Sequence, residues 1–177
     1  SRRRHTRLRT VTGVQTCALP IYAGPLFLAV ALTSSQGDPW RVTGVREGAV
    51  LWDAWMTPGT PVDLQTRQAQ GPALARLKTV GRAVQLVAPA LNAALLSSVA
   101  TVWSACEERA LRRTLDNAGA VHPFGRLRHL SEVCSAAGLP AASLREVCAA
   151  VHLPLPGEDA AEQALALAAV AKCVTAI

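Results

Sequence analysis

Between Ala83 and Cys106 the chain carries no charge, and then Glu107, Glu108, Arg109, Arg112 and Arg113 arrive within two helical turns. A stretch that long and that apolar has to be covered, so it constrains everything around it. Leu95, Val99, Val102 and Cys106 fall at spacings of four, three and four and line one helix face. Ser97, Thr101, Ser104, Glu108 and Arg112 line another. Pro89 suits a first helical turn, where a missing N–H costs nothing, and Asn117 and Gly119 supply a stop. The spacing predicts one long helix over 89–117, buried early and solvated late. A bilayer crossing needs about 20 apolar residues. Gln85, Asn92, Ser97, Ser98, Thr101 and Ser104 interrupt the run, which favours the centre of a helical bundle over a membrane span.

The flanking segments extend this picture. Leu26 to Leu32 is short, apolar and bounded by Gly24-Pro25 and Ser34-Ser35, as a buried strand is. Trp40 to Thr43 alternates like a second strand. Trp52 and Trp55 in the run VLWDAWMTPGTPV are core anchors, or else cover a ligand. Residues 63–70 read as a polar linker, and 71–88 as a short helix opened by Pro72. Residues 127–137 read as a helix broken by Gly138-Leu139-Pro140. Ser143 and Glu146 form a capping box for the next helix, with Leu144, Val147, Cys148 and Val151 on its core face. Glu158-Asp159 opens the last one. The expected fold class is mainly α: a short β-region, the remnant of a β-domain, followed by an antiparallel helical bundle. The expected division is 22–70 as partial β-domain and linker, and 71–177 as the C-terminal bundle.

Residues 1–21, SRRRHTRLRTVTGVQTCALPI, resemble the in-frame translation of a sequencing-library adapter. They are expected to be an artefact with no fold. The biological rival is a basic n-region ahead of the apolar run from Ala23 to Leu32, as in a secretory signal. Of 18 basic residues, Arg2, Arg3, Arg4, Arg7 and Arg9 belong to this stretch, which leaves 13 against 12 acidic ones. A net charge near zero gives no case for nucleic acid or membrane as partners.

Outside that stretch the cysteines are Cys106, Cys134, Cys148 and Cys173, with no C-x-x-C pair, and they read as small apolar residues in a reducing, intracellular compartment. His122, His129 and His152 have no second His or Cys at i+3 or i+4 and read as surface or turn residues. No G-x-G-x-x-G, P-loop, H-E-x-x-H or G-x-S-x-G is present.

Three stretches carry a family resemblance. Phe124-Gly125-Arg126-Leu127 follows the long uncharged segment, Ala31-Leu32-Thr33 and Gly37-Asp38 precede Trp40, Val42 and Gly44, and Ala168, Ala171 and Lys172 stand near the end. In that order they resemble acyl-CoA dehydrogenases, as a truncated and degenerate fragment. The resemblance implies an FAD-dependent flavoprotein whose intact parent desaturates acyl-CoA thioesters as a homo-oligomer. It implies FAD contacts from Thr33, Phe124, Gly125 and Arg126, and no catalytic residue, since the family's catalytic Glu lies beyond the last matched helix. The alternatives are a cofactor-free helical interaction module and an erroneous reading frame with no folded function.

Overall fold

The computed structural model describes residues 24–96, 98–120 and 127–175. The stretch resembling an adapter lies outside them. Three antiparallel strands come first: β1 (Leu26–Leu32), β2 (Pro39–Arg46) and β3 (Ala49–Trp55). Glu47 and Gly48, at φ 52° and 82°, make the two-residue turn between β2 and β3. Positive φ at both positions matches the twist of a tight hairpin. The turn after β1 closes on itself: Thr33 N–H donates to the Asp38 carbonyl at 2.9 Å, and Asp38 N–H donates to Thr33 Oγ1 at 3.0 Å. A Cβ at Gly37 would collide with Thr33 Oγ1 and the Ser34 backbone nitrogen, so only glycine fits there.

Helix α1 (Leu64–Val80) starts at Asp63, whose side chain accepts from Thr66 N–H at 2.7 Å. The expected polar linker is therefore this helix's first half. A kink at Gln70 (φ −114°, ψ 17°) separates the halves, two residues before Pro72. Gly81 ends the helix and α2 (Val84–Leu96) follows.

The predicted long helix over 89–117 does not exist. The chain leaves α2, forms a three-residue strand β4 (Ala100–Val102), and re-enters a helix as α3 (Ala105–Asn117). Ala100, Thr101 and Val102 are all buried, and β4 runs parallel to β1 with Leu26 opposite Ala100 and Phe27 opposite Thr101. Two β-branched residues suit that pairing better than a helix. Val99, expected on the core face, is 37% exposed. Strand β5 (Arg128–His129) lies parallel beyond β4, then come α4 (Leu130–Ala136), α5 (Leu144–Ala150) and α6 (Ala160–Thr175).

The strand order is β3-β2-β1-β4-β5, one mixed sheet. Its faces are covered differently. Leu26, Leu28, Val30 and Val42 pack with Val87, Leu91 and Leu95 of α2 and Leu111 and Leu115 of α3. Phe27, Ala29 and Val45 pack with Cys134 of α4, Val147 and Cys148 of α5, and Ala164, Leu167 and Val170 of α6. The period of two in β1 divides the cores: even-numbered residues face one helix layer and odd-numbered residues the other. The architecture is thus α/β, with helices on both faces of a five-stranded sheet. That corrects the expected mainly α fold with a remnant β-region and a helical bundle. Residues 22–70 contribute three antiparallel strands to a sheet that residues beyond 70 complete.

Among the described residues no helix is long and apolar enough to cross a membrane.

Candidate functional site

The sheet reverses direction of growth at β1: β2 and β3 extend it to one side, β4 and β5 to the other. Where parallel strands lie at such a switch point, the chain segments leaving their carboxyl ends diverge to opposite faces and open a crevice. A cleft of about 210 Å³ occupies this position. Ala29 of β1 forms part of its wall, Trp103 follows β4, and Glu107 stands on the first turn of α3. Ser143 and Arg145 at the start of α5, Glu158 in the loop before α6, and Gln163 of α6 complete the polar lining. A roomier cleft of about 360 Å³, between the start of α2 and the end of α3, has Asp38 as its one ionisable lining residue, and Arg113 holds that carboxylate at 3.3 Å.

Glu107 is placed by local chemistry. Ser104 is the N-cap of α3, and the Glu107 carboxylate reaches back to accept from Trp103 N–H at 2.7 Å and Ser104 N–H at 3.2 Å. This is the reciprocal cap that Ser-x-x-Glu makes at a helix start. The residue as a whole is half-buried, but its carboxyl lies deep. Burial pushes it up to about 7; the two backbone N–H groups and the nearby His129 pull the other way without winning.

Its neighbour Glu108 behaves oppositely. Burial would raise it, but bonds from Arg112 at 2.8 Å and His129 at 2.7 Å hold it below the usual carboxylate range. His129 is itself buried, with Nδ1 2.8 Å from Glu132 and Nε2 on Glu108. The expectation of a surface or turn histidine is corrected for His129, whose β5 position is interior. His152 is exposed in a turn at φ 57°, and His122 lies outside the described residues.

A second polar node flanks the cleft. Arg41 of β2 is buried, donates to both Asp53 oxygens at 2.8 and 2.9 Å, and reaches Asp159 at 2.8 Å. Its guanidinium also lies 4.4 Å from the Trp55 ring centroid. Thr43 and Trp55 donate to Asp53 as well. Burial works to raise Asp53, and these bonds outweigh it and hold the carboxyl low.

Of the residues expected to touch a flavin, Thr33 alone is among the described residues. Thr33 is fully buried in the β1–β2 turn and bonds Thr60 of the loop after β3 at 2.8 Å, away from the cleft lining. Phe124, Gly125 and Arg126 lie outside the described residues. The cleft residues Trp103, Glu107, Arg145, Glu158 and Gln163 were not singled out from sequence as site residues. One signal pointed at them, the Ser104-x-x-Glu107 cap inside what reads as continuous helix.

No protein-family model matches the chain, and no curated protein matches it in sequence. In fold it is similar to a solved structure of Exonuclease X in complex with 5′ overhanging duplex DNA. The TM-score is 0.59 at 13% identity, over 84% of this chain and 92% of that one. The likeness is one of fold, and it overturns the resemblance to acyl-CoA dehydrogenases, together with the flavoprotein and helical-bundle descriptions. The FAD expectation rested on that resemblance alone. The exclusion of nucleic acid as a partner is overturned too, since a solved structure with this fold is bound to DNA. The exclusion came from a net charge summed over the chain, and such a sum discards position. On α3, Arg109 and Arg113 stand together beside Ser35 and Gln36.

Nucleases commonly displace in line with a pair of divalent cations about 3.5–4 Å apart, each held by carboxylates. The donor set here does not fit such a pair. All 12 acidic residues of the chain are among those described, and no three of the described His, Cys, Asp and Glu residues come together to hold a metal. The carboxylates around the cleft are also engaged. Glu107 takes two backbone N–H groups, Glu158 takes Gln70 at 3.0 Å, and Glu162 takes Gly157 N–H at 2.9 Å.

Proposed function

We propose that this chain is a nucleic-acid-binding domain that receives a polynucleotide end in the cleft between β1 and β4. The observation that carries the reading is a polar cleft at the switch point of a sheet whose fold is shared with a DNA-bound exonuclease. The chemistry of the lining supports it. Arg145 is exposed at the mouth and, among the described residues, makes no ion pair or hydrogen bond, so it is available to a phosphate. Trp103 is half-buried on the wall and offers a surface on which a base stacks. On α3, the exposed Arg109 adds a positive group for the backbone of the strand. Ser143 and Gln163 add neutral polar groups that can meet sugar or base edges.

The test is fluorescence anisotropy with a labelled duplex bearing a 5′ overhang, measured across a salt series. Saturable binding that weakens as salt rises, and that blunt duplex competes for poorly, is the expected result. Absence of saturable binding to overhang duplex and to single strand at low salt would sink the reading. The four thiols of Cys106, Cys134, Cys148 and Cys173 are free, with Cys134 and Cys148 buried, which supports a reducing intracellular compartment as the place of action.

A further inference from the structure

The cleft presents a contradiction: a nuclease-like fold around a pocket whose two carboxylates are both already bonded within the protein. We infer that it holds a nucleic-acid end by direct side-chain contact, without a divalent cation, and so binds the end without cutting it. The inference rests on the proposed function and adds the mode of recognition.

Three observations lead to it. The first is composition of the wall. Of the cleft-lining side chains only Glu107 and Glu158 are carboxylates, and Ala29 stands where β1 meets the pocket. A methyl group there can neither ligate a cation nor orient water. The second is prior engagement. Glu107 is spent on the N-terminal cap of α3, and Glu158 accepts from Gln70 through both its carboxylate and its backbone carbonyl. Freeing Glu107 for a metal would uncap α3, a loss on the scale of a cap interaction. Freeing the Glu158 carboxylate would give up one of the two bonds that tie α1 to the loop before α6. The third is charge. A cleft that coordinates cations needs carboxylates ionised at neutral pH, and burial leaves the Glu107 carboxyl only partly ionised there.

Something else then has to meet the phosphate. Arg145 is the positive group at the mouth, and it is uncommitted among the described residues. A guanidinium gives paired N–H donors to a phosphate without dehydrating a metal ion. A partly protonated Glu107 also reduces repulsion toward an incoming phosphate.

The experiment uses the whole chain and two readouts. In the first, binding of the 5′-overhang duplex is measured with EDTA and with Mg²⁺ or Mn²⁺ at matched ionic strength, and the DNA is then run on a denaturing gel. Equal affinity in EDTA and intact DNA are expected. Binding at least about tenfold tighter with metal, or shortened DNA, would overturn the inference. In the second, Mn²⁺ is titrated into the protein without DNA, and free Mn²⁺ is followed by electron paramagnetic resonance. No saturable uptake is expected. Uptake abolished by Glu107→Gln would overturn the inference whatever the DNA result. If no DNA binds in either condition the proposed function fails, while the Mn²⁺ titration still decides whether this cleft takes a metal.

Discussion

Two polar regions meet at the loop before α6. Asp159 bonds Arg41 of the node, and Glu158 borders both the node and the cleft. At the node every formal charge has a partner: Arg41 with Asp53 and Asp159, and Asp53 with Thr43 and Trp55 in addition. At the cleft the charges are uneven. Arg145 is free of partners among the described residues, and Glu107 is bonded but pushed up to about 7. The same β/α framework thus contains a node whose buried charges are paired and a cleft whose one lining cation, Arg145, is exposed and unpaired among the described residues.

The largest expected effect comes from breaking the node. Arg41→Ala leaves Asp53 half-buried without its main partner and should cost about 3 kcal/mol, at the low end for a buried pair because Asp159 is largely solvated. Urea unfolding measures it. A loss confined to a few tenths would place the node among weak surface pairs and erase the contrast with the cleft.

Next comes the pH dependence, where the two regions act with opposite sign. Glu107 is raised from 4.5 to about 7, so the native state holds a proton that the unfolded chain releases. Its contribution is fully present below pH 4.5 and is lost as pH rises through 7, amounting to about 3 kcal/mol on an order-of-magnitude basis. Asp53 and Asp159 are lowered, so their contribution is present above the ordinary carboxylate range and is lost on acidification below it. Stability should therefore decline between pH 5 and 7. Glu107→Gln, which keeps a cap acceptor and removes the ionisation, should flatten that decline. A slope unchanged in the glutamine variant would assign it to another group.

Smaller effects separate ligand contact from stability at the cleft itself. Trp103→Leu keeps an apolar side chain against the α6 layer and should weaken overhang-DNA binding by about 1–2 kcal/mol through lost stacking. Arg145→Ala should leave the unfolding midpoint within about 0.5 kcal/mol, as exposed substitutions do. It should lower DNA affinity by about 1 kcal/mol and reduce the salt slope by about one. An Arg145 variant that lost stability but not affinity would reverse the roles assigned to the two regions.

Local chemistry made several elements legible. The bounds expected for β1, Leu26 to Leu32, coincide with the strand, because a short apolar run between turn signals has one local solution. Ser143 caps α5 with its side chain accepting from Glu146 N–H at 3.2 Å, and α4 ends just before Gly138, at φ 74°. These features depend on neighbours a few residues away. The acyl-CoA dehydrogenase reading failed for a related reason: short matches in a plausible order carry local information only, and the same short turns and helices serve many folds.

What only the tertiary structure decided was the division of the uncharged stretch. From sequence, 89–117 has helical spacing throughout. In the fold, Ala100 to Val102 leaves the helix to pair with Leu26 and Phe27, more than 70 residues earlier. A three-residue strand is too short for its period to register, and its stabilisation lies in hydrogen bonds to a partner that the local sequence does not contain. That strand sets the switch point, the switch point opens the cleft, and the cleft brings Trp103, Glu107, Arg145 and Gln163 together from three separate segments. The sequence determined where turns, caps and apolar runs fall; long-range strand pairing decided which of them share a site.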